Sequence, residues 1–578
     1  MMDNNQIKSV KEISICMVSQ MYSRIIDNLG EWNPQLFREI QGRLKPKTLS
    51  IVVIASLIGQ FLLFVYFKGM LSLKEGSYSR YCTGIIEENS YSSIRICNVD
   101  LLGNLQIIKE LWWLDLFITM SVMGIFILLV VGCYMLIADV SKENAKNTFN
   151  FIRLTPQSAT TILGGKILGV PILVYLFGIL AVPLHSIAGL KANISFPLIL
   201  AFYGLLVVAC LFFYTASLLF SLVSTGLGNF QAWLGSMVVF FLLFTTVGVF
   251  LEANRLSATS LDWLVLFNPA IFLPYLVKST FLAPETVNYL SLDSLNDLSF
   301  YGNFWWRNSF VGLLFVVANY GIWTFWLWQG VKRRFHNPTE TVISKHHSYL
   351  ISACFIVFNL GFTLQDINYG GNDENLTILQ VFNFLFFLLL IPAITPHRQT
   401  LQDWARFRHE NSSSSRHQMT DLLLGEKSPS PFSIVLNVSI ITLYLMPSLF
   451  IFFSGEDKLS NVIGFLFSAM MIIIYGTIFQ LLLMIKNQKR NLIASSIIGS
   501  LIFSPFLTLT ILGAKGTEFG IVWLFSAFPL VGVDLTYPFT MLGGLLIQTL
   551  IIIGANFQLK RALNHVGMSE TKALLMST

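Results

Sequence analysis

The chain has 578 residues, of which 54% are hydrophobic and only 12% charged, with a mean hydropathy of +0.66. Soluble chains carry about 25% charged residues, so this composition excludes a string of soluble domains and marks a polytopic membrane protein. The net charge of +6 accompanies no nucleic-acid motif and gathers in loops on one side, so nucleic acid is not an expected partner.

The first 47 residues are polar and hold no signal-peptide apolar stretch, which places the N-terminus in the cytoplasm. Within residues 1–47, Asn33-Pro34 opens a helix. Leu36, Ile40 and Leu44 fall on one face of it, and Arg38, Arg43 and Lys45 fall elsewhere. That pattern predicts an amphipathic helix lying on the cytoplasmic leaflet, with membrane lipid as a partner.

Apolar runs long enough to span follow at 48–67, 112–138, 167–187, 195–223, 230–252, 308–330, 347–365, 377–395, 432–454, 459–485, 492–513 and 535–556. The expectation is an all-α polytopic fold with about twelve spans. With the N-terminus inside, the inner segments hold 26 of the 37 Lys and Arg residues and the outer ones 11. This bias supports N-in, C-in and fits the inner membrane of a bacterial cell. A re-entrant helix within 514–556 is the alternative that would alter the end of this topology. Residues 409–418, with Ser412 to Ser415, read as a flexible linker.

Two outer loops are long, 68–111 and 253–307. The first holds Cys82 and Cys97, which form either a disulfide or two free thiols. Cys16, Cys133, Cys210 and Cys354 read as small apolar fillers.

Catalytic signatures are missing from the sequence. No phosphate-cradling loop appears, and the "GGK" at Gly164–Lys166 lacks the first Gly and the final Ser or Thr. No metal-ligand spacing and no nucleophile turn appears. Ionisable residues in or near the spans are few: Asp115 and His185 near outer ends, Asp139 and Lys166 at inner boundaries. The interior polar groups are the neutral Gln60, Asn383, Asn437, Gln480 and Gln548. A proton relay has no evident carrier.

The loop after the second run reads "ADVSKENAKNTFNFIRLTPQSATTILGGKILG". Ala145, Phe149 and Ile152 share a helical face. Pro156 ends that helix at Thr155. Thr155 then caps a second helix, with Pro156 in its first turn, that continues into the third span. The loop resembles that of permease subunits of type-2 ATP-binding-cassette exporters, on Glu143, Thr148, Phe149, Phe151, Leu154, Thr155, Pro156, Gly165 and Lys166. Asn147 stands where that family often has Gly. Asn33, Pro34, Arg38 and Glu39 resemble the family's interface helix. Asn268, Pro269 and Tyr275 in "LFNPAIFLPYLVKST" resemble its outer re-entrant segment. The resemblance covers about residues 30 to 330. It implies a coupling helix that docks on separate ATPase chains, with ATP and magnesium on that partner and no cofactor or catalysis in this chain.

The second half reads as a degenerate copy. "LLLGEKSPSPFSIVL" stands as "FNFIRLTPQSATTIL" does, "WLFSAFP" echoes "WLVLFNP", and "KRALNHVGMSET" echoes "KRRFHNPTET". The expected organisation is 1–47, a six-span half at 48–335, and a second at 336–578, with Glu426, Lys427, Ser428 and Pro429 as a second coupling loop. The expected function is an exporter permease, assembled as a homodimer or as a pseudo-dimer within one chain. The rival readings are an ATP-independent secondary carrier and a membrane scaffold that transports nothing.

Overall fold

The computed structural model describes residues 30–71, 74–84, 95–100, 102, 104–251, 256, 258–290, 292–365, 373–410, 416–452, 458–487, 489–513 and 519–567. Eleven helices among these residues are long and apolar enough to cross a membrane, so the chain is an all-α, multi-pass membrane protein. The twelfth expected span, 347–365, forms a helix of 19 residues, Lys345–Thr363. Its first turn carries Lys345, His346 and His347, and Asn359 interrupts its apolar run, so it falls short of the other eleven. The chain divides into two compact units, the first drawn from Met1–Arg255, Leu266–Leu295 and Ser309–His336. The second comprises Leu256–Val265, Asn296–Asn308 and Asn337–Thr578, and so includes two stretches of the outer loop at 253–307.

In the first unit, α1 (Pro34–Arg43) precedes the first span, α2 (Pro46–Gly69). A short hairpin, β1 (Tyr78–Ser79) with β2 (Arg95–Ile96), lies in the loop that follows. The second span is α3 (Lys109–Phe126) joined to α4 (Gly132–Ala145) through a π turn at Ile127–Val131. Tyr214 hydroxyl donates to the Leu128 carbonyl in this turn at 2.6 Å, a side-chain partner for backbone at the helix irregularity. Gly132 leaves the space that the Tyr214 phenol fills.

Next come α5 (Thr148–Arg153), α6 (Ala159–Gly169), and the spans α7 (Ile172–Lys191), α8 (Phe196–Val223) and α9 (Phe230–Leu251). The short α10 (Leu273–Lys278) and the last span α11 (Ser309–His336) complete the unit. Here α2 packs on α7, α4 on α8 and α9, and α8 on α11.

The second unit begins with α12 (Lys345–Thr363) and α13 (Asp373–Ile394), followed by α14 (Arg398–Glu410) and α15 (Arg416–Leu424). The expected linker 409–418 is thus helical at both ends, and residues 411–415 lie outside the described residues. The spans α16 (Pro431–Phe452), α17 (Lys458–Leu483) and α18 (Arg490–Ile511) follow. Two short helices, α19 (Gly520–Leu524) and α20 (Pro529–Val533), lead into α21 (Pro538–Gly567). Here α12 packs on α16, α13 on α17, and α17 on α21.

Neutral polar side chains tie these helices. Asn437 receives a hydrogen bond from Ser352 at 2.7 Å and donates to Ser348 at 3.0 Å. Gln480 accepts from Ser430, and Gln548 donates to the Leu524 carbonyl at 3.0 Å. In the first unit Gln60 donates to Ser56 at 3.0 Å. Lipid tails are as apolar as leucine, so close packing and such bonds hold spans together.

Candidate coupling corner

The loop after the second span does not form one helix. α4 ends at Ala145, which is exposed, and Asn147 takes a left-handed conformation, φ 55° and ψ 8°. Glycine and asparagine are the residues that adopt it most readily. α5 restarts at Thr148, whose hydroxyl donates to the Glu143 carbonyl at 3.2 Å. It ends before Pro156, as expected. Thr155 does not cap the next helix: its hydroxyl donates back to the Ile152 carbonyl at 2.7 Å. Ser158 is the cap instead, accepting from Thr161 N–H at 3.1 Å. Nor does α6 run unbroken into the third span, because Pro171 separates α6 from α7.

α5 is pinned from below and bare above. The Phe149 ring is buried and meets Phe335 edge-on at 5.6 Å. The Arg153 guanidinium lies 4.8 Å from the Phe149 ring centre and 5.9 Å from that of Phe335. Ile152 is buried, while Phe151 is 73% and Leu154 82% exposed. Thr155 and Pro156 are exposed too.

Beside this corner α1 crosses α6. Asn33 Oδ1 accepts from Leu36 N–H at 2.9 Å as the N-cap, and its Nδ2 donates to the Thr161 carbonyl at 2.9 Å. The crossing is close because a side chain at Gly165 would meet Asn33 and the Leu36 backbone at 2.8 Å. One at Gly169 would meet Glu39 Cβ at 2.6 Å. Two glycines four residues apart let the helix backbones approach. The face that α1 buries is Gln35, Leu36 and Glu39; Ile40 and Leu44 are half-buried. Of the apolar stripe Leu36, Ile40 and Leu44, only Leu36 belongs to this buried face.

Lys166 is the centre of the crossing. Its side chain is fully buried, with Nζ at 3.1 Å from Glu39, 2.7 Å from Asp139 and 2.7 Å from Glu143. Arg38 reaches Glu143 at 2.7 Å, and Arg43 pairs with Glu39 at 3.3 Å and with Asp139. Three cations meet three carboxylates, joining α1, α4 and α6. The three carboxylates lie within 4.8 Å of one another, close enough for a metal ion, but the Lys166 ammonium already bridges them. Burial alone pushes the Glu39 carboxyl up, and the charges of Lys166, Arg43 and Arg38 outweigh it and hold it below its ordinary value. Burial likewise pulls Lys166 down, and Asp139, Glu39 and Glu143 outweigh that and raise it.

No protein-family model, curated protein sequence or solved structure matches this chain.

The second expected corner is built differently. Ser428 and Pro429 are buried, Glu426 is half-buried, and Lys427 is exposed. Lys345 at the start of α12, itself buried, donates to Ser428 Oγ at 2.6 Å and to the carbonyls of Leu422 at 3.0 Å and Pro429 at 3.1 Å. Burial draws this ammonium down to about 8, against the pull of Glu426 and Asp421. Tyr349 hydroxyl donates to the Leu423 carbonyl at 2.5 Å, and Trp404 donates to Asp421 at 2.7 Å. The Ser-Pro pair is thus latched to α12 and is not on the surface.

The expected outer segment and the outer cysteines lie in other clusters of the first unit. Asn268 caps Pro269–Phe272 and donates to the Leu243 carbonyl at 3.1 Å and to Thr246 at 2.8 Å, both on α9. Pro269 and Tyr275 are buried, and the Tyr275 ring lies 5.5 Å from Phe272. Cys82 and Cys97 form a disulfide with their Cα atoms 4.8 Å apart. Next to it Tyr81 donates to Asp115 at 2.9 Å, Tyr289 to Asp115 at 2.5 Å, and Arg80 approaches the same carboxylate at 3.4 Å. Cys133 and Cys210 are buried and Cys354 is half-buried, and Cys16 lies outside the described residues.

The sequence reading missed Arg43 and Asp139 as members of the network, Phe335 as the seat of Phe149, and Lys345 as the latch. One signal was available: Asp139 closes the second apolar run and Lys166 opens the third, opposite charges facing across one loop.

Proposed function

We propose that the chain is the membrane permease of an ATP-driven exporter, moved by ATPase subunits on separate chains. The observation that carries this reading is the corner itself. It presents Phe151, Leu154 and Pro156 outward, and the adjoining Lys166 network ties together the helices that lead into or end the first three spans. A push on α5 would reach all three as a rigid-body movement. The order Asn33-Pro34, Thr155-Pro156 and Asn268-Pro269, each at a helix start or break, adds to the resemblance.

Two tandem six-helix halves fit the packing within each unit. In both, the first helix packs on the third, the second on the fourth, and the fourth on the sixth. On this reading the two halves form a pseudo-dimer, and both termini lie in the cytoplasm of a bacterial cell.

The test has two arms. Purification from native membranes should yield a Walker-motif ATPase in stoichiometric amount. Replacement of residues 149–156 by a Gly/Ser linker should leave the chain inserted and abolish its stimulation of that ATPase. Unchanged stimulation, or no ATPase in any of several detergents, would sink the reading.

A further inference from the structure

The sequence of α5, TFNFIR, carries one cation and no carboxylate. That cation, Arg153, is half-buried, and its Nε is shielded from solvent and has no hydrogen-bond partner among the described residues. Its Nη1 donates to Asn150 at 2.9 Å, which is a neutral acceptor. The nearest acid in the loop sequence, Glu143, is committed to Lys166 and Arg38. Burial, and then the neighbouring Arg334 guanidinium, hold Arg153 below its ordinary value. The guanidinium is held against the Phe149 ring, with Phe151 exposed on the same short helix and Leu154 exposed at its C-cap. A guanidinium fixed in this way, with no carboxylate partner among the described residues, suits a carboxylate acceptor at its outer edge.

We propose that Arg153 receives an Asp or Glu side chain from a protein partner whose apolar socket seats on Phe151 and Leu154. The proposal rests on the permease reading, which makes that partner the ATPase subunit. An anionic lipid phosphate is the competing occupant. The fixed ring-backed geometry of Arg153 favours a partner with an equally fixed acid, because diffuse lipid attraction needs no such notch.

The test places a photo-cross-linking amino acid at Leu154 in the full chain, in native membranes. It compares Arg153 with Arg153→Lys and Arg153→Gln. The expected adduct is a Walker-motif ATPase peptide containing an acidic residue. Its yield should fall about tenfold in Arg153→Gln and less in Arg153→Lys. Exchanging the charges, with Arg153→Glu against a basic residue at the partner's acid, should restore it. If Arg153→Gln fails to insert, the salt dependence of the unsubstituted adduct decides: yield should fall as salt rises, and a flat response overturns the proposal. An adduct to phospholipid, or an ATPase adduct indifferent to Arg153→Gln, also overturns it and leaves the permease reading standing. If no ATPase cross-links in any arm and none co-purifies, the permease reading fails and the proposal with it.

Discussion

Asn33 Nδ2 donates to the carbonyl of Thr161 at 2.9 Å, although 128 residues separate them. The same side chain caps α1 through its Oδ1. One residue therefore both starts the helix and fixes it to α6. Asn33→Ala removes both bonds, at about 2 kcal/mol of docking free energy. Amide hydrogen exchange over residues 34–43 should speed up selectively, with the spans unaffected. Unchanged protection would show that the charges alone hold α1.

Gly165 is a packing requirement. Gly165→Val forces Cβ and two methyls into Asn33 and the Leu36 backbone, which cannot yield as a flexible side-chain tip would. Cysteines introduced at exposed positions on α1 and α6 report the outcome: their cross-linking should be lost in Gly165→Val and kept in Gly164→Val, where a side chain meets nothing within 4 Å.

Lys166→Met leaves Glu39, Asp139 and Glu143 facing, among the described residues, only Arg38 and Arg43. Removing one partner of a buried charged set costs about 3–5 kcal/mol. Adding Glu39→Gln to Lys166→Met should recover part of the loss, because it restores charge balance. Thermal unfolding of the single and double variants measures this coupling. A double variant no more stable than Lys166→Met would refute the network as a unit.

The same charges set a pH window. Glu39 is depressed below 4.5 in the folded protein, so its contribution is present above that value and is lost as pH falls through the lowered one. Lys166 is raised above 10.5, so its contribution is present below that value and is lost as pH rises through the higher one. Protection of α1 should be level from about pH 5 to 10 and fall on both flanks.

The latch at Lys345 predicts a different defect. Lys345→Met leaves Ser428 and two carbonyls without their donor, so residues 421–430 should become cleavable by protease while α1 stays protected. Equal exposure of both regions would mean global unfolding.

Membrane character and eleven of the twelve expected spans were legible because lipid demands long apolar runs. The docking face of α1 was not. In water the whole apolar stripe Leu36, Ile40, Leu44 would be the buried one; beside a membrane, apolar side chains need no protein cover, and the helix buries Gln35 and Glu39 with Leu36 on glycines while Ile40 and Leu44 stay half-buried. Glu39 and Lys166 were each visible as motif residues. Their pairing was not, because the contact spans 127 positions and nothing local encodes it. Thr155 was assigned the cap that Ser158 supplies, since both can cap and only the backbone path decides between them.

The Cys82–Cys97 bond carries information about more than stability. A disulfide persists where thiols are oxidised, and a single span, Lys109–Ala145, separates these cysteines from α5. In cells, formation of this bond would therefore report which way the chain is threaded. On the proposed orientation, a population in which it forms has its corner on the opposite, reducing side of the membrane. A misoriented molecule would be marked by two free thiols that an impermeant alkylating reagent could count.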